Sequence, residues 1–385
     1  MINENIASKD FNTTMLLNSI IVNQPISRAD LAKMNNLNKT TTSAIVTNLI
    51  NDKLVYESGV GESTVGGGRK PILLKFNYKS ALAISLELGS NYINSAIAYL
   101  NGDIIHYNTV VNIEINKKNI HQQLVKEIDE LLKKTPKTPN GLVGISVAVH
   151  GVTLNNKLTF SPFYDFGDYD IQEELSKQYQ CPLFIENEAN LAAIGEYTYS
   201  TNQNRIININ IKSGIGAGIT QDGLIQKGAH GRFGEIGHTI LFPNGTDCPC
   251  GNKGCLERYA SLNVLCENIR QKKNLDFLDI SDIIDFWEQK DRVVTNEVLT
   301  NIEYLSIGIN NLISSFDPDE IIINSPLFNQ NPKFLIHLKE NLRSRLTRET
   351  KLSVSKLTDK ATVYGGLAIV NSAYLNILNL KFLDI

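Results

Sequence analysis

Four potential metal ligands lie close together in the segment GEIGHTILFPNGTDCPCGNKGCLE, residues 234–257. They are one imidazole, His238, and three thiols, Cys248, Cys250 and Cys255. One imidazole with three thiolates is the donor set of a tetrahedral structural zinc site, and the Pro and Gly residues between the donors let the chain wrap a metal ion. Four protein ligands leave no position for a catalytic water, so the predicted zinc is structural. Unrelated buried thiols beside a surface histidine are the alternative.

Two carboxylates and an amide occupy a predicted strand-to-helix junction in the segment ENEAN, residues 186–190. Glu188 at this junction has the chemistry of a general base, and equally that of an acceptor that only grips a polar ligand. The N-terminus of a helix favours the ionised form of Glu188, which suits a permanent hydroxyl acceptor. Both roles are open on these residues alone.

A glycine-rich segment, SGIGAGI, follows a predicted strand at residues 213–219. Its glycines, Gly214, Gly216 and Gly218, would let backbone amides approach a phosphate closely. A tight turn between two strands explains the same glycines equally well. The segment therefore does not by itself predict a nucleotide site.

The first 76 residues have the pattern of a winged helix-turn-helix. Ser27 is the predicted N-cap of one helix, NNLN interrupts it, and a second helix spans residues 39–51. The apolar runs LVYES and ILLKF flank a Gly-rich stretch, which predicts a two-stranded wing. A solvated helix face, or a winged helix that binds protein, is the alternative to DNA binding. The candidate DNA contacts lie at the start of the second helix and at the end of the wing: Lys39, Thr40, Thr41, Thr42, Ser43, Arg69 and Lys70.

Beyond residue 80, strand-like runs alternate with helical patterns, which predicts an α/β body. The runs ALAISLELG, YINSAIAYL and GLVGISVAVHG precede ENEAN. A second set begins with RIININIKSGIGAGIT and continues through a long helix to the strand EIIIN. The pattern indicates that the α/β unit occurs twice.

Length and charge are compatible with this organisation. A chain of 385 residues predicts two or three domains. The formal net charge of -3 excludes a uniformly basic nucleic-acid binder, although it allows a small DNA-binding module on an acidic body. The sequence shows neither a secretory signal nor an apolar run of membrane-spanning length, so we expect a cytoplasmic protein without a membrane partner.

The motifs GIGAGI, GEIGH and CPCGNKGCLE, in this order after ENEAN, resemble the ROK family of sugar kinases and sugar-responsive repressors. The winged helix-turn-helix is typical of the repressor branch. Within that branch, ENEANLAAIGEY, SGIGAGI and CGNKGCLERYAS are most similar to the xylose repressors of Gram-positive bacteria. The resemblance implies an N-terminal winged helix-turn-helix followed by a two-lobed actin-like (ribonuclease-H-like) ATPase fold that binds a sugar, commonly as a homodimer.

The resemblance also implies domain boundaries and site residues. The expected domains are residues 1–76 for DNA binding, residues 80–190 plus 366–385 for a first α/β lobe, and residues 191–365 for a second α/β lobe with the zinc loop and the dimerisation surface. His238 would give one ring nitrogen to zinc and turn the other toward a hydroxyl, so that the zinc loop positions the sugar site. Exposed solvating charges are the alternative for Glu235 and Glu257. The family's sugar contacts fall on Asn187, Glu188, Glu235, His238 and Glu257.

Departures from the family's kinases weaken both an ATP site and phosphate transfer, although Glu188 alone does not exclude catalysis. The kinase base is an Asp in a motif ENDAN, where this chain has Glu188, and a shift of about 1 Å in its carboxylate can cost roughly a hundredfold in rate. The kinase phosphate loop has Asp, Gly-Gly and Thr, where this chain has ELGSNY, with Glu87, Ser90 and Asn91. Ser325-Pro326 replaces a later glycine pair.

The sequence therefore predicts a transcriptional repressor, without enzymatic activity, that binds operator DNA as a dimer. Its expected inducer is a small-molecule sugar, xylose or a related one, and its expected cofactor is a structural zinc. An ATP-dependent sugar kinase that carries a DNA-binding domain is the first alternative. A repressor relieved by a protein partner is the second.

Overall fold

The computed structural model describes residues 4–61, 70–161 and 163–383, with side chains from residue 11 onward. By the density of internal contacts the chain divides into two compact units. The first comprises Met1–Val147, Phe163–Ile185 and Gly366–Ile385, and the second comprises Ala148–Pro162 and Glu186–Gly365. The second unit thus begins before residue 191 and includes residues 148–162, which lie inside the expected first lobe.

The helices and strands alternate through most of the chain. The helices are α1 (Glu4–Asn23), α2 (Arg28–Met34), α3 (Lys39–Asn51), α4 (Ile120–Lys133), α5 (Ile171–Gln178), α6 (Glu188–Tyr199), α7 (Glu257–Ala260), α8 (Leu262–Lys273), α9 (Ile280–Glu288), α10 (Arg292–Phe316), α11 (Pro326–Gln330), α12 (Phe334–Asn341) and α13 (Ala361–Leu375). The strands are β1 (Ile26–Ser27), β2 (Val55–Val60), β3 (Ile72–Phe76), β4 (Leu82–Leu88), β5 (Tyr92–Tyr99), β6 (Ile104–Val111), β7 (Leu142–Val149), β8 (Val152–Leu154), β9 (Lys157–Phe160), β10 (Leu183–Asn187), β11 (Arg205–Ile211), β12 (Ile215–Gln221), β13 (Leu224–Ile225), β14 (Glu320–Asn324) and β15 (Lys351–Val354).

The N-terminal domain has the predicted winged helix-turn-helix arrangement. Helix α2 is capped by Ser27, whose side chain accepts the Asp30 N–H, and α3 is capped by Asn38, whose side chain accepts the Thr41 N–H. Strand β2 pairs with β3, and β3 also pairs with β1. The predicted bounds of the second helix, residues 39–51, are confirmed.

The winged helix-turn-helix domain contacts the α/β part of the first unit. Asn140 Nδ2 donates to Asp52 O, the C-cap of α3, over 3.1 Å. Phe382 near the C-terminus stacks on Phe76 of β3 with ring centroids 6.2 Å apart, and both rings are buried. The end of α3 and strand β3 are therefore packed against the α/β part of the first unit.

Each unit contains one five-stranded sheet, as the repeated pattern predicted. In the first unit the strand order is β10-β7-β4-β5-β6, and every residue of β4 is buried. In the second unit the order is β13-β12-β11-β14-β15. There β11 runs antiparallel to β12 and parallel to β14, so the sheet is mixed.

The segment SGIGAGI forms the turn and first part of β12 in the hairpin with β11. A Cβ on Gly218 would lie 2.1 Å from Ala189 O and 2.6 Å from Ala193 Cβ. Only glycine lets α6 approach β12 this closely, because any side chain would collide with the helix backbone. Gly218 therefore has a packing reason, which the sequence did not separate from phosphate binding.

Candidate functional site

The ENEAN segment places Asn187 and Glu188 at the start of α6, within the second unit. Asn187 is the N-cap, and its Oδ1 accepts the backbone N–H groups of Ala189 and Asn190 over 2.8 and 3.1 Å. Its Nδ2 donates to Gly151 O and to Glu188 Oε2 over 2.9 and 2.8 Å. The amide thus uses both donors and both acceptor positions within the protein. A direct sugar contact from Asn187 requires one of these bonds to be exchanged.

Glu188 lies beside a histidine that the sequence analysis did not single out. His150 Nδ1 is 3.7 Å from Glu188 Oε1, and the two side chains are 18% and 19% exposed. His150 directly follows β7 and precedes Gly151, so a polar residue at the end of a buried apolar strand was the available signal. The structure brings this imidazole to the carboxylate that we expected to contact the sugar.

A buried carboxylate supports the junction from behind. Glu186 is 3% exposed and accepts bonds from Thr153 Oγ1, the Asn187 N–H and Asn190 Nδ2 over 2.8, 2.9 and 3.0 Å. Its second oxygen pairs with the Lys227 ammonium. Because Lys227 begins the loop that leads to Glu235, this pair joins the ENEAN segment to that loop.

Glu235 and His238 lie on a short turn that presses against β12. A Cβ on Gly234, whose φ is +99°, would lie 2.0 Å from Ala217 O, and the Ala217 N–H donates to Gly234 O over 2.9 Å. Close approach therefore requires glycine at position 234 and fixes the start of the turn. Glu235 Oε2 then lies 3.9 Å from His238 Nε2.

Glu257, at the start of α7, joins the candidate sugar residues to the cysteines. Its Oε1 lies 3.5 Å from His238 Nδ1 and 3.3 Å from Cys248 Sγ. A Cβ on Gly214 or Gly237 would lie 3.2 or 3.3 Å from its Oε2, so small residues surround that oxygen. Glu235, His238 and Glu257 therefore form one cluster, as expected.

The carboxylates of the site influence one another. Partial burial raises the pKa of Glu235, and the charges of Glu188 and Glu257 raise it further, while His238 and Arg232 oppose them. Like charges that share a site favour protonation of one member. The charges of Glu188 and Glu257 therefore both reach the Glu235 carboxylate.

The four predicted metal ligands meet in the second unit. One donor atom from each of His238, Cys248, Cys250 and Cys255 lies within 4.8 Å of every other. The distance from Cys250 Sγ to Cys255 Sγ is 3.7 Å, and that from Cys248 Sγ to His238 Nδ1 is 3.6 Å. Tetrahedral zinc, with Zn–S near 2.3 Å and Zn–N near 2.1 Å, sets neighbouring donors about 3.6–3.8 Å apart. The donor set therefore fits a metal ion held through Nδ1 of the imidazole.

Backbone turns hold the cysteines in place. The Cys248 N–H donates to Asn252 O and the Gly251 N–H donates to Cys248 O, which closes a tight turn around Cys250. Without a metal, burial raises the pKa of the Cys248 thiol to about 12. A metal ion that binds here must displace the thiol protons, because the thiolate is the ligand.

The positions at which kinases would hold phosphate are occupied by the protein's own side chains. The fully buried Glu87 accepts bonds from Tyr92 Oη and Asn94 Nδ2 over 2.9 and 3.0 Å. A Cβ on Gly89 would lie 2.0 Å from the Tyr92 ring, so this ring covers the backbone of the turn. At the other position, Pro326 begins α11 and has no N–H to offer a phosphate.

The predicted DNA contacts divide by exposure. Lys39, Thr40, Ser43 and Lys70 are exposed and Thr41 is half-buried. Thr42 is fully buried and its Oγ1 donates to Asn38 O over 3.1 Å, so its side chain belongs to the core of the domain and not to a DNA-facing surface. Arg69 lies outside the described residues.

Among the described residues, no helix combines the length and the apolarity needed to cross a membrane.

Comparison with known proteins adds three findings. The ROK family pattern matches residues 83–373. The chain is 34% identical over 382 residues to the xylose repressor of Bacillus spizizenii, covering 97% of this chain and 98% of that protein. It is 33% identical over 380 residues to the xylose repressor of Bacillus subtilis, with coverage of 97% and 98%.

Solved structures give the same fold. A crystal structure of a ROK family transcriptional regulator, a homologue of the E. coli MLC protein, superposes with a TM-score of 0.82 at 26% identity and covers 96% of this chain and 98% of that one. A ROK family glucokinase from Streptomyces griseus, solved with glucose and AMPPNP, gives a TM-score of 0.66 at 21% identity and covers 75% of this chain and 98% of that one. The predicted fold class, a winged helix-turn-helix followed by the actin-like fold, is confirmed.

Proposed function

Because this chain belongs to the ROK family and is similar over nearly its whole length to xylose repressors, we propose that it is a sugar-responsive transcriptional repressor. It binds operator DNA in the cytoplasm and is released by a sugar, with xylose as the proposed inducer. The observation that carries the proposal is the union, in one chain, of a winged helix-turn-helix and a carboxylate-lined cluster. The relatives confirm the predicted resemblance to repressors, and they support the prediction that the chain is not an enzyme.

The charge of the cluster favours a neutral ligand. The charges of Glu188 and Glu257 both act on Glu235. Of the nearby cations, Lys227 is paired with Glu186 and Arg232 is exposed to solvent. An anionic ligand such as a sugar phosphate would be repelled by three carboxylates, whereas the hydroxyls of a free sugar donate to them. We therefore propose a free aldose as the inducer.

Zinc is the proposed metal, with a structural role. Its four ligands would be His238, Cys248, Cys250 and Cys255, and a closed set of this kind supplies folding energy to its loop. With Nδ1 on the metal, the His238 ring is held with Nε2 toward Glu235. In this arrangement Glu235 and His238 orient a sugar hydroxyl, and the zinc itself makes no contact with the sugar.

DNA binding is proposed for the exposed start of α3 and for the wing. Lys39, Thr40 and Ser43 are the proposed groove and phosphate contacts of the helix, with Thr41 at its edge, and Lys70 is the proposed contact before β3. Arg69 stays a candidate from the sequence alone. Helix-turn-helix proteins place the N-terminal residues of their second helix at base edges.

A symmetric homodimer is proposed because two recognition helices must meet two half-sites of an operator. An apolar surface on the second unit supports it. Ile240, Phe242 and Ile307 are 57%, 38% and 43% exposed. Phe242 contacts the Tyr259 and Tyr304 rings, and Ile307 follows Tyr304 by three residues on the same helix, α10. Exposed apolar clusters of this kind mark protein contacts.

Ile307→Glu should therefore yield a monomer in sedimentation velocity, because it places a charge in the proposed contact. An unchanged dimer would place the contact elsewhere.

The kinase alternative has less support. Tyr92 covers the turn that would meet phosphate, and Pro326 removes an amide donor at the second position. A coupled assay for ADP release would decide the matter. Sugar-dependent ADP production that Glu188→Gln abolishes would overturn the non-enzymatic assignment.

The experiment that tests the proposed function screens free pentoses and hexoses beside their phosphate esters. We expect a neutral aldose, with xylose first, to raise the thermal midpoint of the protein and to lower operator occupancy in footprinting. The phosphate esters should do neither. Operator occupancy that stays constant across all free sugars would contradict induction by sugar and would favour a repressor relieved by a protein partner.

A further inference from the structure

We propose that His150 contacts the sugar and, together with Glu188, reads one hydroxyl group of the ligand. The inference rests on the proposed sugar-binding function and adds a residue that sets specificity. Neither the resemblance to the family nor the ENEAN motif pointed to this histidine. Its position beside Glu188 does.

The separation of the pair suits a shared hydroxyl. His150 Nδ1 and Glu188 Oε1 are 3.7 Å apart, which is too long for a direct hydrogen bond. A hydroxyl oxygen can, however, lie within about 2.7–3.0 Å of both atoms at once. Such a hydroxyl donates its one proton to the carboxylate and accepts from the imidazole N–H. Two groups that grip one oxygen define its direction more narrowly than either group alone.

The backbone beside His150 is fixed before any ligand arrives. Ser161 Oγ donates to His150 O over 2.8 Å, and Asn187 Nδ2 donates to Gly151 O over 2.9 Å. A Cβ on Gly151 would lie 2.1 Å from Phe160 O, so the turn is pressed onto β9. A side chain carried by so constrained a turn loses little further freedom on binding.

The site also needs a nitrogen donor. The carboxylates of Glu188, Glu235 and Glu257 serve mainly as hydrogen-bond acceptors, and all four bonding positions of Asn187 are used by the protein. A sugar hydroxyl both donates and accepts, so a set of carboxylates satisfies half of its capacity. With Nδ1 on the metal, His238 Nε2 supplies one such donor beside Glu235, and the His150 imidazole supplies a second one beside Glu188 at the start of α6.

The test uses the full-length, zinc-loaded protein and measures its affinity for xylose by titration calorimetry. His150→Leu should weaken the affinity about tenfold or more, because it leaves a hydroxyl of the bound sugar without its partner. His150→Asn keeps a nitrogen near the position of Nδ1 and should retain most of the affinity. The matched control is His337→Leu, which removes a histidine paired with Glu340 at 3.2 Å on a surface helix of the same unit and should change nothing.

A series of deoxy sugars separates contact from structure. Xylose is compared with its analogues that lack the hydroxyl at position 1, 2, 3 or 4. One of these analogues lacks the hydroxyl that His150 contacts. For this analogue, His150→Leu should cause no further loss of affinity, because the two deletions remove the same interaction.

An equal loss for every analogue would show that His150 only shapes the fold, and an unchanged affinity would show that it does nothing for binding. Either result overturns the proposal. If the wild-type protein binds no free sugar at all, the proposed function fails first, and that outcome is distinct from both.

Discussion

Glu188 stands where the kinases that the chain resembles have the shorter Asp. The surroundings of its carboxylate suit the proposed role in ligand binding. Asn187 fixes one of its oxygens and His150 lies beside the other. Glu186 supports the junction from within the core. The proposed ligand contact, Glu188, and the residues that position it, Glu186 and Asn187, are thus adjacent along the chain.

Glu188→Gln tests this assignment at the residue scale. The exchange replaces an ionised acceptor by a neutral amide, so xylose affinity should fall by about tenfold or more. Operator affinity in the absence of sugar should be unchanged, and the variant should act as a repressor that cannot be induced. Calorimetry and operator titration measure the two quantities.

Glu349→Gln serves as the control, since Glu349 is exposed and lies outside the cluster. It should match the wild type in both measurements. Full xylose affinity in Glu188→Gln would contradict a binding role for Glu188.

Glu196 provides a prediction about stability and pH. It is fully buried in α6, and burial raises its pKa, against bonds from Ser200, Ser355 and the Leu357 N–H. An acid whose folded-state pKa exceeds its unfolded value of about 4.5 stabilises the fold below that value, and this contribution is lost as pH rises through the folded-state pKa. Glu196→Gln removes the titration, so the variant should gain thermal stability relative to the wild type at pH 8 more than at pH 4.5.

Thermal unfolding at the two pH values measures this difference, with Glu349→Gln as the control that should show none. A gain of Glu196→Gln that is equal at both pH values would contradict a raised pKa for Glu196.

At the scale of elements, the proposed zinc site should stabilise the loop that carries its four ligands. Metal analysis should find about one zinc per chain. Cys250→Ser removes a ligand, so it should release most of the zinc, lower the thermal midpoint and weaken sugar binding through His238.

Cys266→Ser is the matched control, because Cys266 is a half-buried cysteine of the same unit that lies outside the cluster. It should keep the metal and the sugar affinity. A wild-type protein without metal, or Cys250→Ser with full zinc content, would contradict the assignment.

The recognition helix allows two neighbouring threonines to be compared. Thr40 is exposed, so Thr40→Ala should cost about 1–3 kcal/mol of operator binding if it reads a base. Thr42 is buried, so Thr42→Val should leave the operator contacts unchanged in a folded domain. Lys39→Ala should reduce the slope of log operator affinity against log salt concentration by the amount expected for about one phosphate contact.

Anisotropy titrations of an operator fragment at several salt concentrations measure all three variants. Equal effects of Thr40→Ala and Thr42→Val would contradict the proposed orientation of α3.

The elements with local signals were predictable. Helix α3, the wing and the metal cluster each depend on residues that are near one another in sequence. His150 was not predictable, because its partner Glu188 lies 38 residues later and no spacing rule links them. The glycines of SGIGAGI were ambiguous, since the need for close helix packing and the need for a phosphate cradle select the same residue type. The capping role of Asn187 was missed for a similar reason, since an amide also suits sugar binding.

At the scale of the whole molecule, a sugar must change how the DNA-binding domain is presented. Asn140 and Phe382 hold that domain to the α/β part of the first unit, whereas the candidate sugar residues lie in the second unit. Induction then requires that sugar and operator bind antagonistically, with one coupling free energy that acts in both directions.

The most direct test of this claim is the operator dissociation constant measured by anisotropy without sugar and with saturating xylose. We predict that xylose raises it by about tenfold or more, and that bound operator raises the xylose dissociation constant by the same factor. An operator dissociation constant that stays constant at xylose concentrations shown by calorimetry to saturate the protein would contradict the account.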